Sequence, residues 1–235
     1  MPEPILRTRA LNAFYGDFQA LYDLDLEVGE REVLAIIGAN GAGKTTLMRA
    51  ITGLLGNRSG DILFQGQDIL GLRADQIAKL GLAMVPEGRK LFPSLSVKEN
   101  LMIGAQVGRD GPWHLEAIYK LFPILEERQD QASTSLSGGQ QQMVAIGRAL
   151  MSNPSLILFD EISLGLAPII IKDIYAALPG IIGEGMSAVI VEQDITKALS
   201  VSSRVYCLQE GRVSLESGSD TVSRDDISRA YFGID

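Results

Sequence analysis

The stretch Gly38-Ala39-Asn40-Gly41-Ala42-Gly43-Lys44-Thr45 narrows what this chain can become more than any other. It matches G-x-x-x-x-G-K-[ST] and stands between an apolar run, EVLAIIG, and a helical pattern, TTLMRAITGL. Strand, glycine-rich turn and helix in that order make a cradle for phosphate. Glycines let backbone N–H groups converge on phosphate oxygens, and the start of the following helix adds a field that favours anions. The backbone from Gly38 through Asn40, Gly41, Ala42 and Gly43 would line the cradle. Lys44 would reach the β- and γ-phosphates, Thr45 would ligate Mg²⁺ and Thr46 would support the α-phosphate. A glycine-rich turn with no ligand is the plain alternative, and the correct flanks argue against it.

The remaining patterns supply a scaffold for such a loop. In LYDLDLEV, Leu24, Leu26 and Val28 face one way and Asp23, Asp25 and Glu27 the other, which predicts a half-exposed antiparallel strand. DILF, from Asp61, reads as another strand, and so does RVYCLQ. EVLAIIG, LILFDE and SAVIVE are continuous apolar runs, as expected of parallel strands covered on both faces. Helical patterns alternate with them, which is the signature of an α/β core. The region from about Glu87 to Asn153 breaks the alternation. SVKENLMIGAQV opens on a capping box, Ser96 with Glu99; LEAIYKLF and SGGQQQMVAIGRALM are further helical segments, and Gly108 to Pro112 is a loop. The expected organisation is a core of residues 1–86 and 154–235 with an antiparallel β subdomain, and an inserted helical subdomain over 87–153. The tail, DTVSRDDISRAYFGID, predicts a short surface helix.

Bulk properties restrict the partners. A formal net charge of −8 argues against a nucleic-acid partner, which needs a basic face, and against direct adhesion to anionic lipid. The single cysteine, Cys207, excludes a disulfide framework and is compatible with a reducing cytoplasm. MPEPILRTRAL lacks the apolar segment of a signal peptide, and no run approaches the ~20 apolar residues that span a bilayer. The expectation is a chain soluble by itself.

Two further motifs carry chemistry. LILFDE ends a buried strand on adjacent acids, and alternation sends the side chains of Asp160 and Glu161 different ways. Asp160 would hold Mg²⁺, and Glu161 would polarise the attacking water as general base. LSGGQ, Leu136 to Gln140, begins a helix with a capping box of Ser137 and Gln140. The box leaves Gly138 and Gly139 unexplained, at a cost of ~2 kcal/mol in helix propensity. Both glycines make sense if a charged ligand approaches the backbone there, with Ser137, the Gly139 N–H and the helix field forming a second anion site. One nucleotide already has its phosphates enclosed by the first loop, so the second turn serves a nucleotide held by another chain.

GANGAGKTT, LSGGQ and LILFDE in this order resemble an ATP-binding cassette (ABC) ATPase, and the similarity covers essentially the whole chain. The resemblance implies a P-loop NTPase fold, two cassettes dimerised head to tail, and ATP between one phosphate loop and the facing Ser137-Gly138-Gly139-Gln140. It places Tyr15 on the adenine. Two positions depart from the family: the Q-loop glutamine is Glu87 and the switch histidine is Gln193. Glutamine can hydrogen-bond a γ-phosphate but cannot gain charge near neutral pH. Either hydrolysis is slow or these are variants tolerated in one branch. Ala167 stands where the D-loop has aspartate, and Ile162 where proline follows the Walker-B glutamate. The only histidine, His114, is expected to be a surface or packing residue.

VPEGR, SLGLAPIII and VEQ resemble the second ATP-binding subunit of bacterial branched-chain amino acid importers. That implies transmembrane permease subunits docking near Glu87 to Asn100, a sister ATPase subunit or a homodimer, and indirectly a periplasmic or extracellular solute-binding protein. The place would be the cytoplasmic face of the cell membrane. Importers of urea, amides or aromatic acids share these motifs, and a low-hydrolysis ATP-binding module for dimerisation or regulation is the alternative of another class. A soluble ABC protein of translation or DNA repair is disfavoured, because those carry two cassettes or long coiled coils.

Overall fold

The computed structural model describes residues 3–232. The chain divides into two compact units, one holding the residues up to Ile77 and from Ser187 onward, the other running Ala78–Met186.

In the first unit, β1 (Leu6–Tyr15) and β2 (Phe18–Val28) form an antiparallel hairpin, paired from Leu6↔Val28 to Tyr15↔Phe18. Leu24, Leu26 and Val28 of β2 are buried, while Asp23, Asp25 and Glu27 are not, as the alternation requires; Leu21 is buried too, because the left-handed Asp23, φ 44°, breaks the alternation before it. β3 (Val33–Ile37) is buried at every residue and leads through the glycine-rich turn into α1 (Lys44–Ile51). β4 (Arg58–Phe64) pairs antiparallel with β1, and the two-residue β5 (Gln67–Asp68) with β4, giving the sheet order β2-β1-β4-β5. α2 (Ala74–Leu80) follows, its first four residues in this unit and its last three in the other.

The second unit contains β6 (Leu82–Val85), α3 (Val97–Ala105), α4 (Leu115–Leu121), α5 (Pro123–Glu127), α6 (Gly138–Leu150), β7 (Leu156–Asp160) and α7 (Pro168–Gly183). β6 and β7 pair in parallel. Both predicted capping boxes are present: Ser96 and Glu99 exchange hydrogen bonds at the start of α3, and Ser137 and Gln140 at the start of α6. His114 caps α4, accepting from the Ala117 N–H, and its Nδ1 lies 2.8 Å from Glu116. α3 and α6 approach closely because glycines stand at the crossing. A Cβ on Gly104 would collide with the Arg148 carbonyl oxygen, and one on Gly147 would lie 2.7 Å from Leu101 Cδ2.

The chain completes the first unit with β8 (Ser187–Val191), α8 (Ile195–Val201), β9 (Arg204–Gln209), β10 (Arg212–Gly218) and α9 (Arg224–Phe232). β3 lies between β8 and β9, parallel to both, and β10 turns back antiparallel to β9. One face of β3 and β9 is sealed by Ala198 of α8 and Ile227 of α9 against Ala35, Ile37, Val205 and Cys207. Burial on both faces explains why β3 and β8 are unbroken apolar runs. It also pushes the Cys207 thiol above its ordinary pKa, which leaves it an inert core residue. No helix among the described residues is long and apolar enough to cross a membrane. The tail helix falls where the sequence placed it, and Gly233 to Asp235 lie outside the described residues.

The α3–α6 contact makes a testable point. Gly104→Ala gains about 1 kcal/mol of helix propensity but forces the two helices apart, at a cost of about 1–3 kcal/mol. The expected net result is a lower urea midpoint, with Gly180→Ala, inside α7 where a Cβ meets nothing within 4 Å, as reference. A gain in stability for Gly104→Ala would show that the helices do not meet backbone to backbone.

Candidate functional site

The phosphate-type loop is built where β3 ends. Gly38, Gly41 and Gly43 all have positive φ, at 153°, 84° and 101°. Their reasons differ. A Cβ on Gly38 would collide with the Leu208 carbonyl oxygen, and one on Gly43 would lie 2.8 Å from Leu21 Cδ2. A Cβ on Gly41 would meet nothing within 4 Å, so its backbone conformation alone demands glycine. Asn40 and Gly41 are exposed, Ala42 is buried, and Gly43 caps α1 without a side-chain hydrogen bond. The leading N–H groups of that helix are thus not capped by a Gly43 side chain, which glycine lacks. Lys44 is only 4% exposed, and its Nζ donates to the carbonyls of Gly38 at 2.8 Å and Ala39 at 3.1 Å. Thr45 is half-buried and Thr46 buried on the same first turn.

Two other predicted residues belong to this unit. Gln193 lies two residues past the end of β8, and β8 runs parallel to β3 with Ile36 opposite Val191. Gln193 therefore leaves the sheet at the edge from which the glycine-rich loop springs. The Glu192 N–H donates to the Ile36 carbonyl at 3.2 Å, and Asp194 caps α8 through the Lys197 N–H, fixing the backbone on either side. The Lys197 ammonium, 2.9 Å away, and to a lesser extent that backbone hydrogen bond hold the Asp194 carboxyl below its ordinary pKa. Tyr15 stands at the tip of the β1–β2 hairpin, 41% exposed, its hydroxyl 3.4 Å from Arg49 Nη1. Its pairing partner Phe18 is 70% exposed beside it, a second aromatic that sequence reasoning did not single out.

The second unit holds the carboxylates. Asp160 ends β7 and is 1% exposed; Glu161 lies just past the strand and is half-buried. Plain alternation does not set their directions. Glu161 has φ 50°, so the chain turns left-handed there and the pleat has already ended. Ile162, at the position expected to hold proline, is buried.

The same unit carries LSGGQ and Glu87. Ser137 Oγ accepts from the Gln140 N–H at 3.3 Å, and Gln140 Oε1 accepts from the Ser137 N–H at 3.0 Å. A Cβ on Gly138 would lie 3.0 Å from Arg89 Nη2, the movable end of a side chain. A Cβ on Gly139 would run into Ile170 Cγ2 of α7. The glycine at 139 is thus demanded by helix packing within the chain, a cause the sequence reading, which looked to a charged ligand, did not consider. Glu87 is exposed in a loop where Arg89 and Lys90 have φ of 65° and 46°. Arg148 of α6 shapes that loop: it donates to the carbonyls of Lys90 and Arg89 at 2.9 and 3.1 Å and stacks 5.5 Å from the Phe92 ring centre. Burial pulls its pKa below the ordinary arginine value. No sequence motif pointed to Arg148, because its partners are main-chain carbonyls.

Comparison with known proteins gives concordant results. A family model described as ABC transporter matches residues 21–163. The chain is 41% identical over 226 residues to the high-affinity branched-chain amino acid transport ATP-binding protein BraG of Pseudomonas aeruginosa, covering 95% of this chain and 97% of that protein. It is 30% identical to the probable branched-chain amino acid transport ATP-binding protein LivF of Archaeoglobus fulgidus, covering 98% and 99%. A solved ATP-binding cassette of an ABC transporter in its ADP conformation is similar with a TM-score of 0.78 at 29% identity, over 97% of this chain and 94% of that one.

The packing at Gly139 can be tested by a double-mutant cycle. Gly139→Ala is expected to lower stability by about 1–3 kcal/mol through overpacking. Ile170→Ala in the same chain should recover part of that loss, read by urea denaturation. Strict additivity of the two changes would separate Gly139 from Ile170.

Proposed function

The chain belongs to the ABC transporter family, and on that footing we propose that it is the ATP-hydrolysing subunit of an importer for branched-chain amino acids. The near full-length likeness to a branched-chain amino acid transport ATP-binding protein carries this reading. The other readings of the sequence, a low-hydrolysis binding module or an importer of urea, amides or aromatic acids, are not favoured by those likenesses.

The residues take their parts as follows. Tyr15 offers its exposed ring to the adenine. The N–H groups from Gly38 to Gly43, with Asn40, Gly41 and Ala42 between, bind the phosphates. Lys44 exchanges its carbonyl partners for β- and γ-phosphate oxygens, and Thr46 supports the α-phosphate. Thr45 and Asp160 supply one hydroxyl and one buried carboxylate, hard oxygen donors of the kind Mg²⁺ accepts. No cluster of three His, Cys, Asp or Glu side chains suited to a metal occurs among the described residues. One hydroxyl and one carboxylate suit an ion that takes its remaining ligands from phosphate and water, and that ion would neutralise charge on the transferred phosphoryl group. Glu161 accepts a proton from the attacking water and orients it. Gln193 donates to the γ-phosphate through its amide, and Glu87 contacts water or the ion. Ser137, Gly138, Gly139 and Gln140 serve the nucleotide of a facing subunit, either a sister ATPase or a second copy.

In this reading residues 87–153 are the helical subdomain and 1–86 with 154–235 the core. Permease subunits dock near Glu87 to Asn100, a solute-binding protein acts on the far side of the membrane, and this chain sits peripherally on the cytoplasmic face.

Phosphate release by the purified chain, with and without its sister subunit, tests the enzyme. Glu161→Gln should lower turnover at least about a hundredfold while ATP binding persists. Unchanged turnover would remove Glu161 from the role of base. The amide at 193 gives a second expectation: Gln193→His should introduce a rate change near pH 6.5 that the unaltered chain lacks. If the unaltered chain already shows the same step, the titrating group lies elsewhere.

A further inference from the structure

The turn between β9 and β10 touches the glycine-rich loop directly, backbone to backbone. Its central residues, Glu210 and Gly211, have φ of 48° and 77°, the two left-handed positions of a tight hairpin. The Gly211 N–H donates to the Ala42 carbonyl at 3.0 Å, and the Gly211 carbonyl accepts from the Tyr22 N–H at 2.9 Å. A Cβ on Gly211 would collide with the Ala20 carbonyl oxygen and come within 3.0 Å of Tyr22 Cδ2. From the other side, a Cβ on Gly43 would lie 3.3 Å from Gly211 Cα. No side chain stands between the two turns.

We propose that Gly211 is a positioning residue for nucleotide binding, acting through the peptide plane that joins Ala42 to Gly43. In a trans peptide the carbonyl and the following N–H point in opposite directions. Holding the Ala42 carbonyl toward Gly211 therefore aims the Gly43 N–H away from the hairpin. Gly43 is the last glycine before α1, and its N–H is among those that converge on phosphate in a loop of this sequence. Glycine at 43 leaves this plane less restricted from within the loop than a residue with a side chain would, so a hold from outside has an effect. Gly211 supplies that hold while its own carbonyl is anchored to β2. The proposal rests on the reading of this loop as the ATP site.

The experiment compares Gly211→Ala with Gly66→Ala. Gln65 and Gly66 form the same kind of turn, with φ of 51° and 75°, between β4 and β5, and a Cβ on Gly66 approaches only a Glu3 oxygen at 4.0 Å. Both substitutions carry the strain of a left-handed alanine, and only the first disturbs the loop. Calorimetric titration with ATP and Mg²⁺ should show a Kd raised about tenfold for Gly211→Ala, the scale of one hydrogen bond to a charged group, and unchanged for Gly66→Ala. Equal affinities in both variants, or equal losses in both, overturn the proposal. An unaltered chain that binds no ATP overturns the nucleotide reading itself, which is a different result. Should Gly211→Ala fail to fold, amide hydrogen exchange of the unaltered chain decides. ATP is expected to slow exchange in the 205–215 segment together with the 38–46 segment, leaving 60–70 unaffected. Protection confined to 38–46 overturns the proposal.

Discussion

A buried ammonium group sets the terms for the first unit. Lys44 is the first residue of α1, so its backbone lies at the positive end of a helix, where a cation is disfavoured. Its charge is also withdrawn from water, which carries a large desolvation penalty unless polar groups surround it. The Gly38 and Ala39 carbonyls meet that requirement only because the loop folds back over the side chain. Helix end and lysine together make a positive field inside a ring of backbone, and an anion is the natural complement. The loop can hold this shape because β3 beneath it is fixed between two parallel neighbours and sealed by α8 and α9.

In the second unit a different cation has the ordering role. Arg148 reaches from α6 to two carbonyls of a loop whose residues adopt left-handed backbone angles. Such angles persist only where surrounding contacts hold them. Guanidinium suits the task because its planar fork offers several donors in fixed directions and stays charged even when burial lowers its pKa. The helix that begins with Ser137 and the loop that carries Glu87 are consequently joined by strong hydrogen bonds within one unit.

Periodicity made much of this legible in advance. The alternation in β2, the unbroken apolar strands β3, β7 and β8, and both capping boxes follow from local rules that tertiary structure did not override. Motif spacing located the glycine-rich loop, the Asp160–Glu161 pair and the start of α6. What escaped was backbone-to-backbone contact. Gly104 against the Arg148 carbonyl and Gly211 against Ala42 join residues far apart in sequence through atoms that every residue type shares, and Gly139 likewise yields space to the distant Ile170 side chain. Composition cannot report such contacts, and a glycine alone does not say whether conformation, packing or a ligand requires it. The turn at Glu161 escaped for a related reason: nothing in LILFDE marks where the pleat ends and a left-handed residue begins.

The glutamine at position 193 is intelligible in terms of the reaction proposed for the chain. Phosphoryl transfer passes through a loose transition state in which charge spreads over the equatorial oxygens, and catalysis is chiefly positioning and electrostatic stabilisation. A neutral amide can donate to one of those oxygens, and its value lies in being held still rather than in carrying a proton. The structure holds its backbone on both sides, through the Glu192 N–H on Ile36 and the Asp194 cap of α8. In the proposed reaction proton acceptance falls to Glu161, whose left-handed backbone ends the strand that buries Asp160. Adjacent acids can divide the work of holding an ion and activating water because the strand stops between them.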